Sequence, residues 1–359
     1  MSLKVGIPRA LLYYYYFPQW AAFFNHLGVQ VVVSRETTRG LLEKGLRSTV
    51  DEACLPVKLA VGHVLDLRDR VDYIFLPRLV SMARREYICP KFLGFPDMVR
   101  NTIDGIGPLI DCNLDLYRKN SSQYDFFYAV GKMFTRNPVK IRRAYHASLE
   151  ALRRHCLAME SGALAGETAP ETTPAHQNRT GEARAGDVNV AVIGHPYNLY
   201  DRFISMNLIK RLKENGANVL TAEQLPEQMA RREAQRLPKK LFWTLNQRMI
   251  GAAYHYFERP DVHGVIHVAS FGCGPDSMTG ELIERYARKW SRKPLLILTL
   301  DEHTGEAGMV TRLEAFLDMV RWRRNLADAA AATTTKIIAK KAEETTGAPD
   351  TSTGVFAAK

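Results

Sequence analysis

Short, wholly apolar runs, each followed by a segment of helical period, recur from one end of the chain to the other, and this rhythm limits the fold most. Lys4 to Ile7, Val29 to Ser34, Asp72 to Pro77 and the shorter Pro108 to Asp111 read as strands in the first half. Val188 to Ile193, Ala217 to Thr221, Val262 to Ala269 and Leu295 to Leu300 do so in the second. Runs without apolar/polar alternation suit strands buried on both faces, as in a parallel sheet covered by helices. Helical patterns lie between and after them, including Trp20 to Leu27, Thr37 to Leu46, Ser48 to Leu67, Pro96 to Ile103, Tyr124 to Met159 with an interruption at Pro138, Ile204 to Asn215, Pro238 to Phe257 and Val310 to Arg323. A strand, helix, strand order repeated in this way predicts an α/β protein. Its architecture is two Rossmann-like or flavodoxin-like parallel-sheet domains with the site in the cleft between them, because the unusual polar loops all follow strands.

Composition changes abruptly once. ESGALAGETAPETTPAHQNRTGEARAG, beginning at Glu160, is small, polar and patternless and reads as a flexible linker. The predicted organisation is an N-terminal α/β domain over 1–159 carrying Cys54 and Cys89, a linker over 160–187, a C-terminal α/β domain over 188–326 carrying Cys273, and a disordered tail over 327–359. The tail is assigned because its Ala, Thr and Lys residues offer no apolar face. Within the first domain, Tyr13 to Tyr16 are expected on a short helix that Pro18 interrupts, mostly as core or interface. PRLVSMARREYICPKF is expected as a long loop.

Of the 359 residues 46% are hydrophobic, enough for a substantial core, and no uninterrupted apolar stretch is long enough to span a bilayer. MSLKVGIPRA leads straight into a strand without a signal-peptide pattern, so the cytoplasm is the expected location. An odd five cysteines without short-range pairing argue for free thiols or metal ligands over a secreted disulfide framework. The formal charge of +11 comes largely in scattered basic pairs such as Arg142 and Arg143 or Lys239 and Lys240, the pattern of a solvated face. No zinc-finger spacing or RNA-binding signature supports a nucleic-acid partner. Neither GxxxxGK[ST] nor GxGxxG occurs, so ATP hydrolysis is not expected of this chain alone.

The loops carry the chemistry. In FGCGPDS, Cys273 follows an apolar strand and is flanked by Gly272 and Gly274, which lack the Cβ atoms that would hold a ligand off the backbone. Cys54 in DEACLPVK and Cys89 in YICPKF share with it a proline one or two residues later: Pro56, Pro90 and Pro275. Cys112 and Cys156 lack that proline, which separates three candidate ligands from two bystanders. Read from residues alone, the three are buried free thiols, zinc ligands without the usual local pairs, or thiolates on an iron–sulfur cluster. Arg9, Lys58, Arg78 and Lys91 are positioned to offset an anionic cluster. His195 in GHPYNLYD and Glu302 and His303 in DEHTGEAG are candidate catalytic groups. Asp301 and the two glutamates of that last loop equally suit a helix start.

GIPRALLYYYYFP, VDEACLPVKLAVGHVLDL, DYIFLPRLVS, YICPKFLGFPD, GHPYN, FGCGPDS and DEHTGEAGMVTRLEAFLD together resemble the 2-hydroxyacyl-CoA dehydratase and double-cubane-cluster superfamily. Within it they are most similar to the acyl-CoA dehydratase activase-related proteins, which are 2-hydroxyglutaryl-CoA dehydratase component-like. The likeness runs from Val5 to about Arg324, leaving out the linker and tail. It implies a cytoplasmic, oxygen-sensitive iron–sulfur protein of anaerobic metabolism. Cys54, Cys89 and Cys273 would match the ligands of a [4Fe–4S] cluster, with a larger double-cubane cluster as the variant. The implied partners are an ATP-hydrolysing activase or reductase that supplies low-potential electrons, a homologous or identical second subunit, and an acyl-CoA substrate. In such dehydratases one electron turns the thioester into a ketyl radical that expels the hydroxyl, bypassing a β-hydrogen that is not acidic. Related long proteins carry an actin-like ATPase ahead of this region, and here the first strand comes at once, so a partner is expected to provide the ATP chemistry. Arg78, Arg84 and Arg85 are candidates for steering an acidic partner. The alternatives are a non-catalytic accessory protein that holds or delivers a cluster or electrons, and a basic nucleic-acid-binding protein without a cofactor.

Overall fold

The computed structural model describes residues 2–164 and 188–346. Its first half runs β1 (Lys4–Ile7), α1 (Tyr13–His26), β2 (Gln30–Val33), α2 (Arg39–Arg47), α3 (Leu55–Leu67), β3 (Tyr73–Phe75), β4 (Arg78–Ser81), α4 (Pro90–Thr102), β5 (Leu109–Ile110), β6 (Asn113–Asp115), α5 (Gln123–Lys132) and α6 (Pro138–Glu160). The second runs β7 (Val188–Gly194), α7 (Pro196–Leu199), α8 (Leu208–Glu214), β8 (Ala217–Thr221), a 3₁₀ turn (Ala222–Gln224), α9 (Glu227–Ala234), α10 (Thr244–Glu258), β9 (Gly264–Ser270), α11 (Gly274–Trp290), β10 (Leu295–Leu300) and α12 (Glu306–Thr346).

Each half contains a four-stranded, all-parallel sheet, ordered β2-β1-β3-β5 in the first and β8-β7-β9-β10 in the second. Counted within its own half, each order is second, first, third, fourth, the flavodoxin-like arrangement. The expected fold of two parallel-sheet α/β units is therefore what the chain adopts. Strand periodicity explains the covering. Along β7, Val188, Val190 and Val192 join one core with Leu208, Leu212, Met309, Leu313 and Phe316, while Ala191 and Ile193 join another with Met249, Ile250, Ala253 and Ile283. Successive side chains point to opposite faces, so α8 and α12 cover one face and α10 and α11 the other. In the first half aromatic packing dominates, with Trp20 and Phe24 of α1 meeting Phe75 at 5.1 and 5.2 Å between ring centroids.

Several local expectations change. Pro18 lies inside α1, which continues from Tyr13 to His26. The missing N–H costs one helix hydrogen bond, but Tyr13, Tyr14, Tyr15, Phe17, Trp20, Phe23 and Phe24 are all buried on that helix and hold it together. Arg78–Ser81 is strand β4, paired with β6 in a separate two-stranded parallel sheet; its alternating burial marks a half-covered strand. Helix α4 begins at Pro90, directly after Cys89, and passes through Pro96. Helix α12 continues through Thr346 where a disordered tail is expected. Val320 is the last buried residue of this helix among those whose burial is described, and the alanine-rich sequence beyond it has the intrinsic propensity to stay helical. Residues 165–187, most of the expected linker, and 347–359 lie outside the described residues.

Candidate functional site

Cys54, Cys89 and Cys273 each occupy the residue immediately before a helix: α3, α4 and α11. All three have extended backbone, with ψ of 154°, 133° and 104°, and none of their side chains caps its helix. The following prolines fall in the first helical turn, where the missing N–H costs nothing and the fixed φ favours the helix. The recurring proline is thus the signature of a cysteine at a helix start. Gly272, at φ +73°, lets the chain turn into α11 while passing Cys54, whose Cα would stand 3.7 Å from any added Cβ.

The three cysteines line one pocket with about 420 Å³ of empty space, partly open to solvent. Leu11 enters it from the chain after β1, His195 and Tyr197 from the chain after β7, and Trp243, Leu245 and Asn246 from the start of α10. It lies between the halves, at the carboxyl ends of β1, β7 and β9. Cys112 and Cys156 do not line it. Burial pushes all three thiols up; Lys91 partly offsets this at Cys54, and Asp276 adds to it at Cys273. Cys54 raises Cys89, and both raise Cys273, because the three share one low-dielectric space. Among the described residues no group of three His, Cys, Asp or Glu could hold a metal ion. The three cysteines share the lining of one space.

Behind Cys273, one turn into α11, Asp276 is 1% exposed and its Oδ1 lies 2.9 Å from His195 Nε2. Burial raises this carboxyl, but His195 and then His267 hold it below the usual carboxylate range. The two groups are within hydrogen-bonding distance, though the approach falls short of ideal alignment. His195 stacks on Tyr197 at 4.8 Å, and its buried Nδ1 has no partner. A pocket-lining imidazole with one nitrogen turned to a carboxylate and the other free is a hydrogen-bonding group for whatever enters.

The other candidates sit elsewhere. Glu302 accepts from buried Lys58 at 2.7 Å, and that bond holds its carboxyl below the ordinary range. His303 is exposed and outside the pocket lining, with its N–H on Asp301 Oδ1. Of the four basic residues named with the cysteines, Lys91 lines the pocket. Arg78 is held by Asp97 at 2.8 Å, Lys58 by Glu302, and Arg9 lies 3.6 Å from Glu36. Arg84 and Arg85 are exposed. Sequence reasoning missed Asp276 and Trp243. The first was readable as the acidic residue in the first turn after Cys273, whereas Trp243 lay hidden in a segment read as mid-helix.

A family model described as a CoA enzyme activase uncharacterised domain matches residues 4–225. Cys54, Cys89 and His195 fall within the match and Cys273 beyond it. No curated protein matches the chain.

Proposed function

Because the chain belongs to the family described as a CoA enzyme activase uncharacterised domain, we propose that it is an iron–sulfur component similar to the 2-hydroxyacyl-CoA dehydratases. On this reading it receives low-potential electrons from an ATP-hydrolysing activase for radical reduction or dehydration of a small substrate, a CoA thioester included. The observation that carries the reading is the convergence of Cys54, Cys89 and Cys273, from three separate loops, on one pocket at the strand ends of both halves. Thiolates drawn from distant loops are ligands that an iron–sulfur cluster accommodates, whereas structural zinc usually takes paired local ones. A [4Fe–4S] cluster held there supplies one-electron chemistry and, with three protein ligands, one iron open to substrate.

The chain's own residues do the rest. Lys91, at the pocket wall, offsets negative charge brought by the thiolates. Phe92, Tyr197, Trp243 and Leu245 give the space an apolar wall. His195 Nδ1 is free to hydrogen-bond a substrate oxygen, with Asp276 holding the ring in place. Since burial keeps the thiols protonated, loading must release protons and is favoured by rising pH.

Anaerobic purification with iron and sulfide determination tests the assignment. About four irons per cluster are expected, with Cys89→Ala losing most of the iron and Cys156→Ala retaining it. Equal retention in the two variants would overturn the ligand set. ATP-dependent bleaching of the cluster absorbance by an added activase tests the electron source, and full reduction by a mild donor alone would remove the need for that partner.

A further inference from the structure

Much of the empty space in the cysteine pocket belongs to its open mouth, and between the walls there is room for about one or two waters. Whatever occupies the three thiols must therefore displace part of the wall. One wall residue is held in a way that suits displacement. Among the described residues, four other than glycine have positive φ, namely Leu11, Arg85, Met206 and Asn207, and of these Leu11 is the buried one.

Leu11, at φ +52°, is followed by Leu12 at φ −74° and ψ 2°, and the Tyr13 N–H donates to the Ala10 carbonyl at 3.1 Å. This is the pattern of a type II′ turn, whose first central position ordinarily takes glycine because a side chain there is strained. Both ends of the turn are fixed. The Arg9 N–H donates to Ser34 Oγ at 2.8 Å, and the Tyr15 and Tyr16 N–H groups donate to the Leu12 carbonyl at the start of α1. The strain is thus confined to Leu11 by the structure on either side. Glycine would make the same turn without that cost. What leucine adds is a side chain in the pocket, packed in one apolar cluster with Cys54 and Cys273.

We propose that Leu11 is a plug. Its side chain closes the pocket over Cys54, Cys89 and Cys273 while they are unoccupied, and gives way to an occupant by leaving the left-handed region, so that released strain offsets part of the cost of opening. The inference shares its pocket with the proposed function but uses only the thiols, so it stands or falls apart from the iron.

Alkylation of the full chain by iodoacetamide in iron-free buffer, followed cysteine by cysteine with peptide mass spectrometry, tests it. Leu11→Ala should speed alkylation of the three pocket cysteines about tenfold and leave Cys112, which does not line the pocket, at the wild-type rate. Leu11→Gly should do the same and, being free of the strain, should unfold at higher urea than Leu11→Ala, the reverse of the usual order. In the wild type, alkylation by the bulkier N-ethylmaleimide should raise deuterium uptake over residues 9–13 as the bond from Tyr13 to Ala10 is lost. Far-UV circular dichroism checks folding; if Leu11→Ala is unfolded, Leu11→Gly carries the rate comparison with the wild type. Unchanged rates at the pocket cysteines, a parallel rise at Cys112, unchanged deuterium uptake, or a Leu11→Gly no more stable than a folded Leu11→Ala would overturn the plug.

Discussion

His63 on α3 is fully buried, with Nδ1 2.9 Å from Ser34 Oγ and Nε2 3.1 Å from Thr37 Oγ1. Thr37 donates its hydroxyl hydrogen to Asp201, which also accepts from Tyr14. The Thr37 oxygen is therefore an acceptor toward His63, so Nε2 carries the proton and Nδ1 accepts from Ser34. This chain of bonds is complete only while the imidazole is neutral. Burial, with the charge of Arg9 adding to it, pushes the imidazole down from 6.5 to about 3. The unfolded chain takes up a proton near pH 6.5 that the folded chain refuses until about pH 3. Stability from neutral His63 is thus complete above about pH 6.5 and falls as pH drops through that window. Between pH 7.5 and pH 4.5 the loss should be on the order of 2 kcal/mol, and His63→Gln should flatten it. Urea midpoints at the two pH values check this; an equal acid slope in both proteins would count against it. Nothing in VGHVLDL announces such a role, because a histidine among apolar residues on a helix looks the same whether or not its nitrogens find partners.

At the level of elements, α2 and α3 cross at a pair of glycines. A Cβ on Gly45 would fall on the Lys58 carbonyl, and one on Gly62 would fall on the Leu41 carbonyl. These are rigid backbone atoms, so the helices must separate to make room. Gly62→Ala should destabilise the protein by about 1–3 kcal/mol, whereas Gly40→Ala, with open space around it, should be neutral or slightly stabilising. Because Cys54 stands at the start of α3, the first substitution should also lower iron retention on the proposed function. Denaturant unfolding of both variants gives the comparison, and equal stability would mean the helices part easily. Elements were legible where a single period ruled: β7, β8 and β10 begin at the expected residues because their apolar runs are unbroken. They were not legible where tertiary burial overrode a local breaker, as at Pro18, or where a strand was too short to stand out, as at Arg78–Ser81. The site was legible through the cysteine–proline spacing, which reports a local backbone state. The His195 and Asp276 pair was not, since it joins two helix starts distant in sequence.

Over the whole molecule the two sheets share their packing. Tyr197, Leu245 and Cys273 belong to the core of the first half, while Leu41, Leu42, Leu55 and Leu59 belong to that of the second. Polar links cross the same boundary. Thr37 reaches Asp201, Lys58 reaches Glu302 at 2.7 Å, and buried Glu86 meets Arg231 at 2.7 Å and Lys240 at 2.9 Å. Sequence reading expected a cleft between two units, and the cysteine pocket lies between the halves at the carboxyl ends of β1, β7 and β9; the depth of the shared packing was hidden because it depends on α2 and α3 lending leucines to the other half. Halves that share core residues should lose them together, so urea unfolding followed by tryptophan fluorescence and by far-UV circular dichroism should give one coincident transition. Glu302→Gln tests the link most directly. It leaves Lys58, whose side chain is 6% exposed, as a buried cation without its carboxylate, at a cost of about 3 kcal/mol or more. Its midpoint should move to lower urea with the transition still single. If wild type and variant instead unfolded in two separated steps, each half would hold its own stability, and the packing between them would be a contact of two finished domains.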